Sequence, residues 1–347
     1  MNSIIQTPDE ILAALPKPKL EPVKRISLLP DDWLVVCAGF EDRSLAILES
    51  ASSEGKSFNV MLINYTPFIT ENKSEAIRAL CRGTRIRISE LTYNRQEPGG
   101  FGDILTEKIR TSGARIFVDI SGMSRLLIVQ VLVALRKHPE QFDNCFVAYT
   151  EAASYPPNEE EATLKLAKSE SDPSFSIFFL SSGVYEVTLI PELSSYASAG
   201  VQTRLIAFPS LDAHQLTALR AELQPSRLSL IEGVPPGSHN QWRKRIIAEV
   251  NQLGEIQNAE KYSVSTLDYQ DTVMELLKIY GEHAFYERLL VSPTGSKMQA
   301  VAVGIARSFL EDIQIVYPTP RDFLKPEKYT EGIGQMHLLS LEPFSSR

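Results

Sequence analysis

Two stretches of this chain set hydroxyl, glycine and basic residues side by side after an apolar run. One is Asp119-Ile-Ser-Gly-Met-Ser-Arg125 and the other is Ser292-Pro-Thr-Gly-Ser-Lys297. Each reads as the end of a buried strand, a tight turn, and the opening of an apolar helix. The free N–H groups of a first helical turn, and the helix dipole, favour an anion there. Asp119, Ser121, Gly122, Met123, Ser124 and Arg125 are therefore candidate ligand residues, as are Thr294, Gly295, Ser296 and Lys297. The serines and Thr294 offer hydrogen bonds to phosphate or ribose oxygens, and Arg125 and Lys297 offer charge. Glycine lets a backbone approach a ligand closely. Neither turn has the Walker A spacing. The same residue types also simply start helices.

A third turn, Gly39-Phe-Glu-Asp-Arg-Ser44, follows the first apolar run. Arg43 could clamp a phosphate bidentately. Glu41 or Asp42 could hold a ribose hydroxyl or act as a general base. Gly39, Phe40 and Ser44 complete this candidate segment. The alternative is a helix start with acids in its first turn. The matching turn downstream, Pro209-Ser-Leu-Asp-Ala-His214, lacks an arginine, so the first half is the better equipped. Further, weaker signals are the glycine-rich loop 96–102, the basic and aromatic stretch 233–245, and Asn64 with Tyr65 at a strand end. The five histidines (138, 214, 239, 283 and 337) show no metal-ligand spacing, and no metal or cofactor is expected. No nucleophile elbow and no dinucleotide fingerprint occurs.

The elements that would position these turns alternate regularly. Apolar runs at 33–39, 58–65, 84–91, 114–121 and 145–150 read as strands, with helices between them. The pattern restarts at Thr203 and runs to Pro318. Matching strands lie about 170 residues apart, which suggests a tandem duplication of one Rossmann-like unit. The expected fold is α/β: two tandem Rossmann-like units, with mostly parallel sheets, helices on both faces and C-terminal β-hairpin additions. The expected boundaries are an N-terminal appendage over 1–30, a first domain over 31–195 and a second over 200–347. Residues 151–174 read as an exposed acidic insertion in the first domain. Residues 175–193 read as a hairpin on the edge of the first sheet, and the run from Gln335 as the last strand of the second half.

Composition bounds the partners. The 347 residues are 43% hydrophobic and 22% charged, which is ordinary globular material. A net charge of −8 argues against a broad basic face for duplex DNA. No apolar run is long enough to span a bilayer, and the N-terminus lacks a signal-peptide pattern. The three cysteines, Cys37, Cys81 and Cys145, read as reduced core thiols. Together these features suggest a cytoplasmic protein with no membrane partner.

A Rossmann-like unit with a hydroxyl, glycine and basic turn after its fourth strand, plus a C-terminal hairpin, resembles the CRISPR-associated Rossmann-fold (CARF) sensor domains. The family's turn is similar to Ser121-Gly-Met-Ser-Arg125 and to Thr294-Gly-Ser-Lys297, although Met123 replaces a glycine and Arg125 a lysine. One glycine is missing from the second turn. The segment Gly39–Ser44 corresponds to the family's other ligand-contacting turn. The resemblance implies binding of a cyclic oligonucleotide or other nucleotide signal across a two-fold interface. That interface would lie within the chain or between the chains of a homodimer. It also implies a role in prokaryotic antiviral defence through a separate effector protein, since no residues remain for an attached nuclease. Two alternatives stand beside the sensor. One is a metal-independent ring nuclease, with Ser124, Arg125 and Lys297 as catalytic candidates. The other is a degenerate Rossmann-like scaffold for a protein partner.

Overall fold

The computed structural model describes residues 6–109, 113–172, 176–177, 179–194, 200–324 and 329–345. In chain order, the first elements are α1 (Pro8–Ala14), β1 (Glu21–Val23), β2 (Trp33–Cys37), α2 (Ala46–Ser52), β3 (Asn59–Thr66) and α3 (Ser74–Cys81). Next come β4 (Arg87–Asn94), α4 (Phe101–Lys108), β5 (Ile116–Asp119), α5 (Arg125–Arg136), α6 (Pro139–Asp143) and β6 (Cys145–Thr150). They are followed by α7 (Glu159–Ser171), β7 (Val184–Leu189), β8 (Gln202–Ala207), α8 (Ala213–Leu223), β9 (Arg227–Val234) and α9 (Trp242–Val250). The chain ends with β10 (Ala259–Ser265), α10 (Tyr269–His283), β11 (Glu287–Ser292), α11 (Lys297–Phe309), β12 (Gln314–Pro320) and β13 (Met336–Ser340).

These strands form two sheets. Sheet 1 has the order β1-β13-β6-β5-β2-β3-β4, and sheet 2 the order β10-β9-β8-β11-β12-β7. In sheet 1 the five strands β2 to β6 run parallel, and β13 joins β6 antiparallel. In sheet 2 the five strands β8 to β12 run parallel, and β7 joins β12 antiparallel. The shared order is therefore last-parallel, fourth, first, second, third, with one antiparallel strand outside. Among the described residues β1, paired with β13, has no counterpart in sheet 2. The molecule is thus α/β, with two Rossmann-like units. Continuous β-branched and aliphatic strands such as Val35-Val36 and Leu290-Val291 are buried on both faces, as parallel strands under helices must be.

The boundaries differ from the tandem boundaries expected from sequence. One compact unit comprises Pro16–Pro156 and Lys325–Arg347, and the other Met1–Leu15 and Pro157–Leu324. We call these the host and the inserted unit, because the second interrupts the first between β6 and β13. The expected appendage 1–30 is divided accordingly. Its helix α1 packs on α10 and α11, while β1 pairs with β13. The expected acidic insertion is the helix α7, whose Ala162 and Leu166 pack with Leu211, Trp242 and Ile246 in the inserted unit. The expected hairpin on the first sheet is a single strand, β7, and it joins β12 of sheet 2. Phe175 and Phe178 of that expected hairpin lie outside the described residues. The final strand, expected in the second half, is β13 and closes sheet 1 against β6. Alternation identifies a strand and its buried face, but the edge it joins is set by which sheet leaves ladder groups unpaired.

Candidate functional site

In sheet 1 the strand order reverses between β2 and β5, so the turns after these strands flank the switch point where open α/β sheets bind ligands. The two turns touch. A Cβ on Gly122 would lie 2.2 Å from the Cys37 carbonyl oxygen, and one on Gly39 would lie 3.0 Å from Gly122 Cα. Backbone packing between the turns therefore demands glycine at 122, and a side chain at 39 would press on the 122 backbone.

Arg43 sits in a 3-10 turn, Asp42–Ser44, that precedes α2, and is only 3% exposed. Its Nε donates to Glu41 at 2.7 Å. One terminal nitrogen donates to the Tyr149 hydroxyl at 3.1 Å, the Thr150 carbonyl at 3.2 Å and the Tyr155 hydroxyl at 3.3 Å. Its guanidinium also lies 5.5 Å from the ring centres of Tyr149 and Tyr155. Burial alone would lower the Arg43 pKa, but Glu41 and the two tyrosines outweigh it and hold the guanidinium charged. Burial also drives the Tyr149 phenol pKa up, so Tyr149 stays a neutral donor and acceptor. Glu41 accepts a further hydrogen bond from Thr330 at 2.9 Å. Arg43 and Glu41 thus neutralise each other inside the host unit, where both are buried. Ser44 bonds back to the Glu41 carbonyl at 2.7 Å, and Asp42 pairs with Lys73 at 2.8 Å. Phe40 meets Tyr329 edge to face, with ring centres 5.2 Å apart.

The turn after β5 is similarly ordered. Asp119, buried at the strand end, accepts the Ser121 N–H at 2.9 Å, and Ser121 Oγ accepts the Thr150 N–H at 2.9 Å. Met123 is buried and donates its N–H to Ile120. Ser124 caps α5, its Oγ accepting from Leu127 N at 3.3 Å. The Ser124 N–H donates to the Tyr65 hydroxyl at 2.5 Å, which in turn donates to the Gly122 carbonyl at 3.3 Å. Burial, with the Cys37 thiol beside it, raises the Tyr65 pKa well above that of a free phenol. Arg125 opens α5 and is half-buried. Arg95 lies over the Tyr65 ring at 5.9 Å. Asn64 accepts from Ser74 and donates to Glu90, which ties it to α3 and β4.

Sheet 2 carries the equivalent turn between β11 and α11. Ser296 caps α11 in a reciprocal box with Gln299, and its hydroxyl donates to the Thr266 carbonyl at 2.5 Å. Thr294 is buried and donates to the Phe208 carbonyl at 2.8 Å. A Cβ on Gly295 would lie 2.2 Å from Gln299 Oε1, so glycine is needed for the cap. Lys297 opens α11 and is half-buried. In the first-strand turn of this sheet, Asp212 accepts from the N–H groups of Leu180 and Ser181, at 3.3 and 3.1 Å. The His214 Nε2 meets Ser181 Oγ at 3.0 Å.

Gly39, Gly122, Gly295, Glu41, Arg43, Asp119, Ser121 and Thr294 are held by internal contacts. Ser124 with Arg125, and Ser296 with Lys297, open helices at the same topological position of the two sheets. The basic and aromatic stretch is also engaged: Trp242 packs in an apolar cluster and Arg243 lies 4.6 Å over its ring while donating to the Pro157 carbonyl. Tyr149, Thr150, Tyr155 and Thr330 escaped sequence reasoning, since Arg43 and Tyr155 stand 112 positions apart and Glu41 and Thr330 stand 289 apart. Cys37, Cys81 and Cys145 are buried and are not joined in a disulfide. Among the described residues no helix is long and apolar enough to cross a membrane.

No family model matches this chain, and no curated protein matches it. Solved structures give low-scoring superpositions. The cytoplasmic domain of a prokaryotic cation chloride cotransporter is 10% identical, over 83% of this chain and 94% of that one, with a TM-score of 0.24. A Haemonchus contortus phosphoethanolamine N-methyltransferase 1 is 11% identical, over 89% and 77%, with a TM-score of 0.21. A C2-type ketoreductase from a modular polyketide synthase is 12% identical, over 85% and 70%, with a TM-score of 0.18. The fold assignment rests on the strand order, and these superpositions add nothing about activity.

Proposed function

We propose that this protein binds a nucleotide, first of all a cyclic oligonucleotide, at the helix-opening turns of its two sheets. In this reading it is a sensor of a prokaryotic antiviral defence system that acts through a separate effector. The supporting observation is the repeated pair of a capping serine and a basic residue, Ser124-Arg125 and Ser296-Lys297. Each pair opens a long helix beside the switch point of a sheet with the same strand order. A helix N-terminus with a basic residue in its first turn suits a phosphate group. Arg43 is engaged in an internal ion pair with Glu41 at 2.6 Å, so in this reading Arg125 and Lys297 are the basic residues that meet the phosphate.

The test is to incubate the purified protein with linear and cyclic oligonucleotides and to follow retention and cleavage together by mass spectrometry. Retention of an intact species, lost in Arg125→Ala and Lys297→Ala variants that remain folded, is the expected result. Conversion to linear products without added metal would make the protein a ring nuclease instead. No retention and no turnover would sink both and favour the scaffold reading.

A further inference from the structure

A continuous run of hydrogen bonds links the helix-opening turn of sheet 1 to the two points where the chain leaves and re-enters the host unit. Ser121 is fully buried, and its Oγ accepts the Thr150 N–H at 2.9 Å. The Thr150 carbonyl accepts from Arg43 at 3.2 Å. Arg43 also donates to the Tyr155 hydroxyl at 3.3 Å, which itself accepts the Ala152 N–H at 3.0 Å. Tyr155 directly precedes Pro156, the last host residue before the inserted unit. On the returning side, Glu41 holds the Thr330 hydroxyl at 2.9 Å, shortly after the host unit resumes at Lys325. The outgoing and returning segments are paired: Ser154 and Glu331 exchange both backbone hydrogen bonds, at 3.0 and 3.1 Å. One buried Arg–Glu pair therefore grips both segments at once.

The first-strand turn of the inserted unit also holds a neighbouring segment, with different chemistry. It supplies Asp212 and His214, which hold Leu180 and Ser181 ahead of β7. Ser181 is bridged to Phe323, near the end of that unit. There the turn after the first parallel strand holds one segment directly, and Ser181 of that segment pairs in turn with Phe323.

We propose that Arg43 and Glu41 form a latch that couples the 121–125 turn to the paired segments 150–156 and 329–335. For its ligand, the proposal rests on the nucleotide-binding reading above. An anion seated at Ser124 and Arg125 draws on the same turn whose Ser121 anchors Thr150. Arg43 cannot shift by degrees, because leaving Glu41 would strand a buried carboxylate. The turn and the paired segments therefore change together, and occupancy at the turn is reported where the chain passes to the inserted unit.

Amide hydrogen exchange on the full-length protein tests this with variants that each remove one hydroxyl: Ser121→Ala, Tyr155→Phe, Thr330→Val and the Ser121→Ala/Tyr155→Phe double variant. Loss of one buried hydrogen bond should speed local exchange about tenfold. Ser121→Ala should speed exchange in 150–156 and in 329–335, and Tyr155→Phe should speed it in 121–125. Thr330→Val should loosen both paired segments. The double variant should show less than the product of the single effects. If each variant loosens only its own segment, with additive effects, the latch is wrong. A second arm repeats the exchange with the linear and cyclic oligonucleotides. Binding with altered protection in 329–335 supports the coupling, and binding with no change there overturns it. Absence of binding removes the ligand reading alone, and the variants still decide the latch.

Discussion

At the scale of single residues, charge in this protein is placed according to burial. Arg43 and Glu41 have sequence neighbours typical of a ligand-binding turn, yet both are buried and satisfied by each other, by Tyr155 and by Thr330. Arg43→Ala leaves Glu41 charged and enclosed, so the host unit should lose about 3–5 kcal/mol of stability in urea unfolding. Arg125→Ala should cost far less. A loss of ligand retention in the Arg125 variant then reports on the site, whereas the same loss in the Arg43 variant reports on folding. His214 gives a second residue-scale test. Burial, opposed by Asp212, lowers its pKa below the ordinary histidine value. Below about pH 6.5 the unfolded chain therefore binds more protons than the folded one. Stability should fall as pH drops through that range and level off below the folded-state pKa. Urea midpoints at about pH 7.5 and about pH 5.5 should differ more in the parent than in His214→Gln.

At the scale of elements, the two helix-opening turns are built alike but anchored differently. Ser124 caps α5 through one side-chain bond to Leu127, whereas Ser296 caps α11 within a reciprocal box and also holds the Thr266 carbonyl. Ser124→Ala should cost about 1 kcal/mol and Ser296→Ala distinctly more, toward about 2 kcal/mol, in chemical denaturation. Most elements were readable from the chain. The strand β6 over 145–150 lies where periodicity places it. The strand β4 is displaced by three residues from its alternating pattern, to Arg87–Asn94, because its ladder follows β3 from Asn59 to Thr66. The helix start offered as the alternative reading of Gly39–Ser44 opens as a 3-10 turn ahead of α2, since Ser44 and Leu45 bond back to Glu41 and Asp42.

At the scale of the whole molecule, the contiguous segment 157–324 carries all six strands of sheet 2, and the host unit needs both ends of its own sequence. A fragment spanning 157–324 should fold cooperatively, with reduced stability because α1 is missing from α10 and α11. A fragment spanning 200–347 lacks β7 and should leave the β12 edge unpaired and prone to aggregate. Circular dichroism melts and light scattering of the two fragments separate these outcomes. Local propensity and apolar periodicity were enough to establish the α/β class, the repeated unit and the helix-opening serines, because those features depend on residues close together in the chain. The destination of β7 and β13, and the enclosure of Arg43 by Tyr149, Tyr155 and Thr330, were not legible. They depend on which sheet edge and which charge lack a partner, and those vacancies are filled by segments more than a hundred residues away.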